Sequence, residues 1–128
     1  MKKLFTVFVF IFLLVGCGNK QSVLDEKIKC QNLAGERVQE MGSDNIDVSL
    51  IEVNYLPSED TCLMLTESFG KDDGFIIGER IEDIISYKLV ASSPTVYNCV
   101  NMSDELREIC EESVEEFNKI KEKYFPKK

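Results

Sequence analysis

Asn45-Ile46-Asp47-Val48-Ser49-Leu50-Ile51-Glu52-Val53-Asn54-Tyr55, followed past Leu56 by Pro57-Ser58-Glu59-Asp60 and Thr61-Cys62-Leu63-Met64-Leu65-Thr66-Glu67-Ser68-Phe69, is the stretch that sets the fold. Ile46, Val48 and Leu50 alternate with polar residues, the two-residue period of a half-buried strand. The phase then changes to Ile51, Val53 and Tyr55, so a β-bulge is expected near Leu50, where one extra residue flips the alternation. Pro57 to Asp60 has the composition of a turn. Beyond it Leu63, Leu65 and Phe69 alternate with Cys62, Met64, Thr66 and Ser68, which predicts a second strand covered on at least one face.

Working outward, Gly70-Lys71-Asp72-Asp73-Gly74 closes the next hairpin. Phe75 to Glu79 and Ile84 to Val90 are expected to be two further strands around a tight connection at Arg80 to Asp83, which completes a four-stranded antiparallel β-meander. On the N-terminal side the pattern from Ser22 is helical. Val23, Cys30, Ala34, Val38 and Met41 share a stripe, Lys27, Lys29, Glu36 and Glu40 fit the solvated surface, and Gly42 is a stop. On the other side Ala91 to Met102 is expected to be irregular. Ser103 is an N-cap residue, and Asp104 and Glu105 suit the first turn of a second helix running to about Tyr124. Leu106, Cys110, Val114, Phe117, Ile120 and Tyr124 form its predicted apolar face, and glutamates early with lysines late match the helix dipole. The expected fold class is α+β: N-terminal helix, four-stranded antiparallel β-meander, C-terminal helix and two disulfides.

The first residues supply an address. Lys2 and Lys3 precede an uncharged, mostly apolar run from Leu4 to Val15, too short for the roughly 20 apolar residues of a spanning helix. The run ends at Leu14-Val15-Gly16-Cys17, which resembles the lipobox of bacterial lipoproteins. The resemblance implies that residues 1–16 are a signal peptide, that Cys17 is acylated and anchors the chain in a lipid bilayer, and that 17–21 is a lipidated tether to a single domain over 22–128. Gly18, rather than Asp, after the Cys implies the outer membrane of a Gram-negative cell, on its periplasmic face.

Removing 16 of the 128 residues leaves 112, enough for one domain with a modest core. The removed segment takes two lysines and no acid, so 13 basic residues face 23 acids and the formal charge of −8 becomes −10. Such a chain is repelled by anionic lipid and by nucleic acid, so neither is an expected ligand. Acidity of this kind serves mainly solubility.

Cys30, Cys62, Cys99 and Cys110 remain after Cys17, an even number suited to two disulfides in an exported protein. A zinc site is disfavoured, because Cys-x-x-Cys spacing and histidine are both missing. Tyr55, Pro57, Thr61 and Cys62 also match a Tyr-Ser-Pro-x-x-x-Thr-Cys hairpin, which resembles small uncharacterised bacterial envelope domains. That resemblance implies a bridge between a helical Cys and the hairpin Cys, here Cys30 with Cys62. The chain departs from it at Leu56 and at Gly78 to Asp83, where an Asp-Leu-x-Thr turn is expected. Cys99, in the loop before the second helix, is well placed to fold back onto Cys110. The rival pairing, Cys30 with Cys110 and Cys62 with Cys99, stays open at this level.

No catalytic set emerges. Without histidine there is no Ser-His-Asp or Cys-His arrangement. Asp72 with Asp73 and Glu111 with Glu112 read as solvated charge, and neither Ser43 to Asp47 nor Gly70 to Gly74 follows the EF-hand ligand series. Tyr55, Phe69, Phe75 and Tyr87 are expected to pack in the core or across strands. No metal, cofactor or small-molecule substrate is expected. The expected function is a non-catalytic, membrane-anchored envelope protein-binding module; a structural lipoprotein and, further off, a carboxylate- or calcium-dependent enzyme are the alternatives. Recognition commonly sits on loops held by a rigid scaffold, which points to Ser92, Pro94, Val96, Tyr97 and Asn101 as the partner surface.

Overall fold

The computed structural model describes residues 18–72, 74–94, 99–100 and 102–127. Helix α1 (Gly18–Met41) leads into strands β1 (Ile46–Leu56), β2 (Thr61–Gly70), β3 (Ile76–Asp83) and β4 (Lys88–Pro94), and helix α2 (Asp104–Tyr124) follows. The sheet is antiparallel with order β1-β2-β3-β4, the predicted meander. No helix among the described residues is long and apolar enough to cross a membrane.

The helices cover opposite faces of the sheet. On one face Cys30 and Ala34 of α1 pack with Cys62, Met64 and Ile84, flanked by Leu50, Val53 and Tyr55. On the other, Phe117 of α2 and Phe125 pack with Leu63, Leu65 and Ile81. The alternation in β2 that is apolar on both phases is thereby explained: Cys62 to Thr66 is buried on both sides, because each face meets a helix. One disulfide joins helix to sheet, Cys30 to Cys62 between α1 and β2, and the other, Cys99 to Cys110, ties a helical turn to α2, with Cα separations of 5.6 and 5.5 Å. Of the two pairings open in the sequence, this is the one the hairpin resemblance and the position of Cys99 favour.

The bulge expected near Leu50 lies at Ile51, where the β1–β2 register jumps from Leu50 to Glu52. Two more were not anticipated, at Ile77 in β3 and Val90 in β4. Each bulged residue is an exposed aliphatic side chain, the extra residue that cross-strand pairing leaves out.

Four sequence expectations need correction. The segment Arg80 to Asp83 is strand, and the β3–β4 turn is Ile84 to Tyr87, four residues later. Its charges misled because their partners come from distant elements. Glu82 pairs with Arg37 of α1 as well as with Arg80, while Asp83 accepts from Thr61. Ala91 to Pro94, expected to be irregular, continue β4. Helix α1 begins at Gly18 rather than Ser22, so Gly18 to Gln21 are helical. Leu106 is exposed, and the buried aromatic beyond the end of α2 is Phe125, whose N–H caps the helix on the Lys121 carbonyl at 2.7 Å. Ser103 stands at the N-cap, though its side chain makes no capping bond.

Candidate interaction surface

The residues of the hairpin motif all have structural tasks. Tyr55 donates its hydroxyl to Asp60 Oδ1 at 3.0 Å across the Pro57–Asp60 turn, and Asp60 adopts the left-handed conformation (φ 47°) that Asp tolerates. That bond, together with burial, raises the Tyr55 phenol above its ordinary value. Thr61 Oγ1 donates to Asp83 Oδ1 at 2.6 Å, and Cys62 is bridged to Cys30. The motif closes one end of the sheet and leaves no group poised for chemistry.

Asp83 organises the neighbouring turn. Its carboxylate accepts from the amides of Ile85 (3.0 Å) and Ser86 (3.4 Å) and from the Ser86 hydroxyl (2.6 Å). Partial burial pushes this carboxyl up, but the bonds from Ser86, Thr61 and the two amides outweigh it and hold it below the usual carboxylate range. Asp83-Ile84-Ile85-Ser86 is thus a turn closed by its own aspartate, and it does not have the Asp-Leu-x-Thr sequence expected over Gly78 to Asp83. The signal for this turn was present in the sequence as an aspartate whose side chain can cap the amides that follow it.

The turn ends at Tyr87, which is 62% exposed and has φ 55°. A positive φ is uncommon for a bulky residue and costs of order 1–3 kcal/mol, so the surrounding structure must hold it. The Arg37 guanidinium lies 5.1 Å from the centre of the Tyr87 ring and helps do so. Ile85, Leu89 and Val90, beside Tyr87 along the chain, are exposed too. The expectation that all four strand aromatics pack inward therefore fails at Tyr87 and Phe75, which face solvent, while Tyr55 and Phe69 are half-buried.

On its α2 side, β4 is lined by three open grooves of about 250, 210 and 200 Å³. They run from Leu89 beside Tyr124, past Ala91 beside Ile120, to Pro94 beside Val114. As an outer strand β4 presents backbone groups, yet Lys88, the bulge at Val90 and Pro94 are the features that blunt an edge against strand addition. Side chains, rather than ladder bonds, are what this surface offers.

The chain matches no protein-family model, no curated protein and no solved structure. Its surface is read from its own chemistry. Of the five predicted partner-surface residues, Ser92 and Pro94 lie in β4, Ser92 exposed and Pro94 half-buried, so they belong to a strand rather than a loop. Val96, Tyr97 and Asn101 lie outside the described residues, as does Cys17. Sequence reasoning missed Ile85, Tyr87 and Leu89, because it ran the strand through the turn that exposes them. Among the described residues no three acidic or cysteine side chains gather in a metal-holding group.

Proposed function

We propose that this chain is a non-catalytic protein-binding module of the bacterial cell envelope. An acylated Cys17 holds it on the periplasmic face of the outer membrane, and it presents the β3–β4 turn and the flank of β4 to an envelope protein. The observation that carries the reading is Tyr87, an exposed aromatic kept in a costly backbone conformation beside exposed Ile85 and Leu89. Aromatic anchors of this kind dominate the energetics of protein interfaces, and strain retained at the surface is a mark of use. The non-catalytic part is supported by the lack of histidine and by the β3 carboxylates Glu79, Glu82 and Asp83, which are engaged in ion pairs or turn bonds. The address is supported by Leu14-Val15-Gly16-Cys17 alone.

The test is affinity capture after in-cell crosslinking with three baits: the native chain, a Cys17→Ser form carrying a conventional signal, and a Tyr87→Ala/Leu89→Ala double variant. A partner recovered with the first two and reduced at least fivefold with the third is the expected result. A partner indifferent to the double variant removes this surface from the reading. Enrichment that vanishes with Cys17→Ser and persists with the double variant would mean that the anchor only places the domain near its neighbours, as in a structural lipoprotein.

A further inference from the structure

We propose that the Leu24–Ile28 face of α1 is a membrane-contact face, so that the helix lies along the bilayer beside its anchor. The inference rests on the reading of Cys17 as the acylated residue. Helix α1 begins at Gly18, the next residue, leaving no flexible spacer between the lipid and the fold. Leu24 and Ile28 are 53% and 49% exposed although both are large and apolar. Four residues apart, they share one face of the helix. The stripe that packs on the sheet, Cys30 and Ala34 with Val38, lies about a third of a turn away at 100° per residue, so the core leaves this face open.

Chemistry and geometry select the occupant. Exposed Lys27 and Gln31 adjoin Leu24 and Ile28, and Gly35 continues the face with nothing within 4 Å of where a Cβ would stand. Of the acids of α1, Glu26, Glu36 and Glu40 lie about 100° or more from the centre of this face, while Asp25 edges it beside Ile28 as Lys27 edges it beside Leu24. In a chain whose formal charge is −10 once residues 1–16 are removed, an apolar face on which Lys27 offsets Asp25 suits the headgroup layer, where Lys27 can reach phosphate over its own aliphatic stem. At 1.5 Å per residue Leu24 and Ile28 stand about 10 and 16 Å along the helix from the anchor. Interfacial helices sink about 5–10 Å into the headgroup boundary, so an upright helix would leave Ile28 in water. A helix lying in the plane brings both residues down.

The chain has no tryptophan, so a single introduced one is a clean reporter. Full-length Leu24→Trp, Ile28→Trp and, as a control on the exposed part of α2, Leu106→Trp are reconstituted into phosphatidylethanolamine–phosphatidylglycerol vesicles with brominated acyl chains. Mass spectrometry reads the acylation of Cys17 and flotation reads vesicle binding. The expected result is at least threefold stronger quenching at positions 24 and 28 than at 106. Quenching no stronger than the control, in a chain that is acylated and floats, overturns the lying helix and leaves the anchor standing. A blue-shifted but unquenched Leu24→Trp also overturns it, since a protein then covers the face. An unmodified Cys17 in a chain that does not float removes the anchor, and this inference with it.

Discussion

Arg37 of α1 donates from Nε to Glu82 Oε1 across 2.8 Å, joining the helix to a fully buried carboxylate on β3. Arg80 approaches the other carboxylate oxygen at 2.5 Å, and Glu40 flanks Arg37 at 3.2 Å. A charge at 0% exposure is tolerable only with such partners, because breaking a buried pair from one side leaves an uncompensated charge. Arg37→Met is expected to cost about 2–4 kcal/mol, below the upper end of that range because Arg80 remains and Arg37 is partly solvated. Glu82→Met should cost less, since it removes the buried charge instead of stranding it. Urea unfolding of both variants checks the order; a Glu82→Met loss larger than that of Arg37→Met would contradict this account.

Asp83 gives the fold a pH dependence. Its folded value lies below the usual range, so ionised Asp83 contributes stability that is fully present above the unfolded value near pH 4 and is lost as pH falls through the folded one. Thr61→Val removes one of the bonds that lower it and is expected to cost about 1 kcal/mol at pH 7. Urea midpoints from pH 7 down to pH 2.5 should fall less steeply for Asp83→Asn than for the unaltered chain. Parallel curves would show that another group carries the acid sensitivity.

The two disulfides should differ in worth. Cys30–Cys62 spans 32 positions and Cys99–Cys110 spans 11, which the loop-entropy argument converts to about 4 and about 3 kcal/mol. Cys30 and Cys62 also sit at the centre of the core beneath α1. Cys30→Ala/Cys62→Ala is therefore expected to lower the thermal midpoint more than Cys99→Ala/Cys110→Ala, as measured by circular dichroism without reductant.

Gly78 is required by close approach. A Cβ there would stand 2.6 Å from the Ser93 carbonyl oxygen of β4, a backbone atom unable to swing aside. Gly78→Ala should cost about 1–3 kcal/mol, in line with overpacking elsewhere in proteins. Hydrogen exchange should report the effect as faster exchange in β4 while β1 and β2 keep their protection.

Periodicity within single elements was legible in α1, β1 and β2. The Cys30–Ala34–Val38 stripe, the double alternation of β2, the phase change at Leu50–Ile51 and the stop at Gly42 depend on residues a few positions apart, and the structure has them where the pattern put them. The charged run from Arg80 to Asp83 was not legible. As sequence it resembles a turn, while in the fold Glu82 meets Arg37 and Asp83 meets Thr61. The same displacement hid the exposure of Tyr87, since a turn placed four residues early buries it in a strand.

The sequence alone therefore determined the kinds of element and their order, because helix and strand periods arise from local backbone geometry. It also carries, in contiguous residues up to Cys17, the resemblance from which the envelope address is proposed. Tertiary structure alone decided that the helices take opposite faces of the sheet, which cysteines pair, where β3 ends, and that Tyr87 and the Leu24–Ile28 face stay outside. Each of these depends on a neighbour tens of residues away, and the burial of a charge or the exposure of an aromatic is fixed only when that neighbour arrives.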